Sequence, residues 1–128
     1  MELSSKNMKY EFKIAAFTED PDFSISLATE CNKYGFSLTF IDMEDRLKEE
    51  IDGDTIIVVL IDLNNAQYVS MNLCEKIKRV HGIPVFGVLD MFNKKKQKDA
   101  KRSGFDLIFT KKMLLKSIKE VVIHVSYE

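Results

Sequence analysis

Asp62 closes the apolar part of the run Thr55 to Asn64, and three further acids, Glu19, Asp20 and Asp90, and one lysine, Lys111, stand just past other apolar runs. Carboxylates brought within a few ångströms repel unless a cation lies among them. Such a set could therefore hold Mg²⁺, a hard ion that prefers oxygen ligands, or close around a lysine. Asp62 is the most informative of these residues. A run as apolar and β-branched as Ile56 to Ile61 reads as a central parallel strand buried on both faces, and ligands bind outside the carboxyl ends of such strands. The ordinary alternative is an aspartate that caps a helix or holds a turn.

The elements that must position these residues alternate along the chain. Lys13 to Phe17 reads as a first strand, followed by Asp20 as a helix cap and Pro21 at the first helical position. That helix should run to about Tyr34 and stop at Gly35. Phe36 to Ile41 predicts a second strand, Met43 to Ile51 a short second helix, and the run ending at Asp62 a third strand. A third helix should start near Gln67, with Val69, Leu73, Ile77 and Val80 on its inward face. Ile83 to Leu89 is the fourth strand, Asn93 to Ser103 a basic fourth helix, and Leu107 to Phe109 the fifth strand. Leu114, Leu115, Ile118, Val121, Val122 and Val125 mark the inward stripe of a last helix.

Five strands alternating with five helices predict an α/β, doubly wound parallel sheet of flavodoxin-like order 2-1-3-4-5. Strands one and three are then neighbours, so Thr18, Glu19, Asp20 and Asp62 gather at one end. The tips of strands four and five add Leu89, Asp90, Thr110 and Lys111. A cluster of carboxylates around one lysine follows from topology alone.

With 128 residues, 45% of them hydrophobic, the chain suits one domain over residues 11–128 behind an N-terminal extension, residues 1–10. Cys31 and Cys74 show no metal-type spacing with His81 or His124 and read as small buried side chains of a reducing compartment. No leader-like or membrane-spanning run is present, so a soluble, cytoplasmic protein is expected. Residues 1–90 hold 9 basic and 16 acidic side chains, whereas residues 91–128 hold 10 and 4. The basic share includes Lys94, Lys95, Lys98, Lys101 and Arg102, which could form a solvated face or a surface for an acidic partner. Nucleic acid is disfavoured, because no aromatic residues interleave with these lysines. No glycine-rich phosphate loop follows the first strand, and neither histidine has a recognisable nucleophile beside it.

In this arrangement the sequence resembles the receiver domain of two-component response regulators. The resemblance covers roughly residues 10 to 126 and rests on Lys13 to Pro21, Ile61-Asp62-Leu63-Asn64, Ile83-Pro84-Val85, and Gly104-Phe105-Asp106 through Thr110-Lys111. It implies that Asp62 is the phosphoacceptor, Lys111 a phosphoryl contact, and Glu19, Asp20, Asp62 and the Asn64 carbonyl the surroundings of a Mg²⁺ ion. Several positions depart from the family pattern. Thr18 stands where the first acid of the pair is expected, unless the loop slips by one so that Glu19 and Asp20 serve together. Leu89 replaces the hydroxyl residue and Ile108 the aromatic one of the usual switch. Asp90 follows where a small residue is usual; it could substitute for the missing acid, although capping a helix is its more ordinary role. Ala66 and Lys112 replace prolines.

The expectation is thus a stand-alone, degenerate receiver-like module that works by binding another protein and is not an enzyme. A histidine kinase or a downstream signalling protein is the implied partner, homodimerisation is left open, and Mg²⁺ binding is expected to be weak or absent. One alternative is a working Asp62 phosphoacceptor that uses Mg²⁺. Another is an unrelated flavodoxin-like domain for a small ligand.

Overall fold

The computed structural model describes residues 12–42, Arg46, 56–64 and 70–126. Its strands are β1 (Lys13–Phe17), β2 (Ser37–Phe40), β3 (Ile56–Asp62), β4 (Val85–Leu89) and β5 (Leu107–Thr110). They pair in parallel in the order β2-β1-β3-β4-β5, as the alternation of elements predicts. The helices are α1 (Pro21–Lys33), α2 (Ser70–Val80), α3 (Lys94–Arg102) and α4 (Lys111–Ser126). Four helices are therefore seen among the described residues rather than five; the helix expected over Met43 to Ile51 lies, apart from Arg46, outside them.

The sheet divides the core into two layers, because side chains alternate between faces along each strand. On one face Phe23, Leu27 and Cys31 of α1 and Leu114, Ile118 and Val122 of α4 cover Ile14, Ala16, Val58, Leu60, Phe86 and Val88. On the other, Leu73, Cys74 and Ile77 of α2 and Ala100 of α3 meet Ala15, Phe17, Val59, Ile61, Val85 and Leu89. Burying each large aliphatic side chain contributes about 1.5–3 kcal/mol, so these layers dominate the stability of the domain. The inward face of α2 differs from the expected one. Val80, the last helical residue, is exposed, and Cys74 takes a place in the stripe beside Leu73 and Ile77. Val69 lies outside the described residues.

Local signals set the helix ends. The carboxylate of Asp20 accepts the amide hydrogens of Asp22 and Phe23, and Pro21 opens α1 where no amide donor is needed. The chain leaves α1 through Gly35, whose φ of 75° is a conformation that side chains with a Cβ disfavour. Asn93 caps α3 by accepting from the Lys96 amide. Both cysteines are buried free thiols, and burial raises their pKa values to about 11 for Cys31 and about 12 for Cys74.

Gly87 of β4 is closely packed. A Cβ there would lie 3.0 Å from Leu63 Cδ1 and 3.1 Å from Phe105 Cδ2. Gly87→Ala should therefore destabilise the domain by about 1–3 kcal/mol through overpacking, read as a lower urea midpoint. An unchanged midpoint would mean that Leu63 and Phe105 can give way freely.

Candidate functional site

The carboxyl ends of four strands converge because their registers match there. Phe17 of β1 lies opposite Ile61 of β3, Asp62 of β3 opposite Val88 of β4, and Leu89 of β4 opposite Thr110 of β5. The last residue of β3, Asp62, and the residues that follow β1, β4 and β5, namely Thr18, Asp90 and Lys111, consequently meet in the same crevice. Thr110 also accepts a hydrogen bond from the Met113 amide, so β5 passes directly into α4 and places Lys111 at its first turn. A cation at a helix N-terminus faces the unfavourable end of the helix dipole. The carboxylates around it compensate.

Lys111 Nζ lies 3.0 Å from Asp20 Oδ2, 2.9 Å from Asp62 Oδ2 and 2.6 Å from Asp90 Oδ1. An ammonium has three hydrogens and no acceptor capacity, so three carboxylates saturate it. It also stands 5.4 Å from the centre of the Phe23 ring. Burial works against its charged form, but hydrogen bonds to Asp90, Asp62 and Asp20 outweigh burial and hold its pKa above the usual lysine range. Asp20 is held below the ordinary carboxylate range, chiefly by the hydrogen bond from Lys111 and then by that from the Phe23 amide.

Asp62 is only 2% exposed, and both its oxygens are engaged. Oδ1 accepts the Asn64 amide hydrogen at 2.9 Å, while Oδ2 accepts the Thr18 hydroxyl at 2.6 Å as well as facing Lys111. Thr18 Oγ1 in turn accepts from the Asp20 amide. The side-chain oxygen of Asn64 accepts the Asp90 amide hydrogen at 3.0 Å, which ties the tip of β3 to the loop after β4. Beside that loop opens a cleft of about 340 Å³ bordered by Asn64, Asp90, Phe92 and Lys96 among others.

The structure thus brings together Asp20, Asp62, Asn64 and Lys111 from the sequence expectation. Glu19 is exposed, and the acids that contact Lys111 are Asp20, Asp62 and Asp90. Asp90 departs from its ordinary reading as a helix cap, because Asn93 caps α3 and leaves Asp90 to pair with the lysine. The hydrogen bond from Thr18 to Asp62 is a contact that the sequence did not suggest. Leu89 is buried in the core layer with Ile61 and Leu63, and Ile108 packs against the same layer. Lys94, Lys95, Lys98, Lys101 and Arg102 are all exposed on or beside α3.

Oxygen donors of this type suit Mg²⁺ in their chemistry. Among the described residues, however, no group of three or more acidic, histidine or cysteine side chains is arranged to hold a metal ion. The three carboxylates are arranged around the ammonium instead. Among the same residues no helix is long and apolar enough to cross a membrane.

The fold is that of response regulator receiver domains. A CheY-like receiver domain protein from Methanospirillum hungatei superposes with a TM-score of 0.73 at 15% identity, covering 92% of this chain and 98% of that one. A response regulator from Thermotoga maritima gives 0.74 at 15% identity over 89% and 99%. An orphan response regulator of H. pylori gives 0.69 at 15% identity over 87% and 96%. No protein-family profile matches the sequence, and no curated protein matches it.

Proposed function

We propose that this chain is a receiver-fold signalling module that acts by binding another protein, without the usual phosphorylation switch and without an enzymatic activity of its own. The observation that carries the reading is Leu89. At 2% exposure it fills the core at the tip of β4, where the family pattern has a hydroxyl, and an alkyl chain cannot hydrogen-bond a phosphoryl oxygen. Ile108, packed on the same layer, is a partly buried aliphatic side chain in place of the aromatic partner of that switch.

The test is intact-protein mass spectrometry after incubation with acetyl phosphate, with and without Mg²⁺, beside Asp62→Asn and an active receiver domain. The expected result is no phosphoryl adduct on this chain. A Mg²⁺-dependent adduct lost in Asp62→Asn would replace the reading with that of a working phosphoacceptor. The 2.9 Å approach of Lys111 to Asp62 is the observation that keeps this second reading in play. In it Asp20, Asp62 and the Asn64 carbonyl would hold Mg²⁺, with Glu19 alongside, and the ion would supply charge neutralisation for the transferred phosphoryl group.

The partner surface we favour is the exposed basic side of α3 with its neighbours β5 and α4. Its lysines would draw in an acidic partner, such as a kinase or a downstream protein, and hasten encounter. Lys95→Glu with Lys98→Glu should weaken that association, most strongly at low salt, while leaving folding stability within about 0.5 kcal/mol. Lys98 is exposed and Lys95 makes only an exposed ion pair with Asp99, so neither holds the fold together. Partner affinity unchanged by this double reversal, measured by titration calorimetry, would move the surface elsewhere.

A further inference from the structure

We propose that Asp90 is a built-in anion that occupies the solvent-facing donor position of Lys111 and closes the Asp62 pocket to phosphoryl-like anions. This rests on the reading of the crevice as a degenerate phosphoacceptor pocket and adds a cause to it that is separate from Leu89. Three observations carry it. Lys111 has no donor to spare, because Asp20, Asp62 and Asp90 each lie within 3.0 Å of its nitrogen. Of the three, Asp90 makes the shortest contact, 2.6 Å, and has the most exposed side chain, 59% against 33% for Asp20 and 3% for Asp62. Lastly, of Lys111 and its three carboxylates only Asp90 lines the open cleft beside the crevice, so it is the member of the cluster that an anion in that cleft meets.

The contact is positioned by the backbone as well as by charge. The Asp90 amide hydrogen is committed to Asn64 Oδ1, which holds the start of the loop against the tip of β3. An anion arriving beside Asp62 would have to displace a carboxylate from Lys111 and then remain near three negative charges balanced by one positive charge. Like charges at such distances in a partly desolvated site disfavour binding strongly. Asp20 is less easily displaced than Asp90, because its other oxygen caps α1. Asp62 is buried and held from two further sides. Asp90 is the group that can swing into solvent at least cost.

The probe is beryllofluoride, a small anionic phosphoryl analogue, followed by ¹⁹F NMR in the presence of Mg²⁺. Unmodified protein, Asp90→Ala, Asp90→Asn and Asp62→Asn are compared, each with its thermal midpoint measured to show that it is folded. Asp90→Ala should bind the probe at least about tenfold more tightly than the unmodified protein, a difference of about 1.4 kcal/mol. Asp90→Asn should fall between, since it keeps an acceptor for Lys111 but loses the charge. Asp62→Asn should abolish the bound signal. If neither the unmodified protein nor Asp90→Ala binds, the assignment of Asp90 is overturned and the phosphorylation-independent reading stands on Leu89 alone. If both bind equally well, both fail. If both bind and Asp90→Ala binds more tightly, Asp90 keeps its role and the phosphorylation-independent reading fails.

Discussion

Lys111→Met should destabilise the domain by about 3 kcal/mol near neutral pH, because it leaves a buried carboxylate without its cation. Asp62 is the group at risk: two of its partners, the Asn64 amide and the Thr18 hydroxyl, would remain, while Asp20 and Asp90 would face it uncompensated. The pH dependence distinguishes this cause from lost packing. In the intact protein the depressed pKa of Asp20 gives stability that is present above the unfolded value of about 3.9 and is lost as pH falls through the folded value. The raised pKa of Lys111 gives stability that is present below about 10.4 and is lost only as pH rises through its folded value. The contributions of Asp20 and Lys111 are therefore both present across the neutral range. Without Lys111 the sign on the acid side reverses. Carboxylates crowded together bind protons more readily than in the unfolded chain, so the variant should regain stability as pH falls from about 7 toward 5. Urea titrations at these two values check this. An equal deficit at both would assign the loss to the alkyl stem of Lys111 and not to its charge.

Much of this fold was legible because the strands announce themselves by burial. The β-branched run Ile56 to Ile61 reads as a strand covered on both faces, and the stop at Gly35 agrees with its positive φ of 75°. Strand order followed from alternation and crossover handedness, which need no knowledge of side-chain contacts. The misplacement on α2 has a specific origin. Val80 and Cys74 both satisfy helical spacing with Ile77, and periodicity cannot tell which of them the sheet covers.

The site was legible in its members more than in their partners. Topology put Asp20, Asp62, Asp90 and Lys111 at one edge, but which acids reach the lysine depends on loop conformation. Glu19 and Asp20 are adjacent in sequence, and the cap of α1 decides between them: fixing Asp20 Oδ1 on two amides turns Oδ2 toward Lys111. Asp90 was given a capping role because it precedes a helix, yet Asn93 lies closer to the helix start and takes that role. Thr18 reads in the sequence as a lost charge. In the structure it is a hydroxyl donor to Asp62, which partly makes up for that loss by satisfying a buried oxygen.

At the opposite end of the sheet, Asp106→Ala should cost about 2–3 kcal/mol, more than an exposed ion pair would suggest. Asp106 Oδ2 accepts the Val85 amide hydrogen at 2.8 Å, and its own amide donates to the Val85 carbonyl at 2.8 Å. Val85 is fully buried and follows Pro84, which has no amide hydrogen to offer, so this carboxylate satisfies a donor at the very start of β4. Lys78 of α2 joins the same carboxylate at 2.8 and 3.0 Å, but both side chains are about one-third exposed. That pair alone is worth only about 0.2–1 kcal/mol. Lys78→Met should therefore be mild, Asp106→Ala severe, and Asp106→Asn intermediate, because it can keep the acceptor while losing the charge. Hydrogen exchange at the Val85 amide should quicken in Asp106→Ala and hardly change in Lys78→Met. Equal losses in the two variants would place the energy in the ion pair instead. The consequence reaches the functional edge through register: a β4 loosened at Val85 no longer fixes Leu89 opposite Thr110, and Asp90 and Lys111 are the next residues on those two strands.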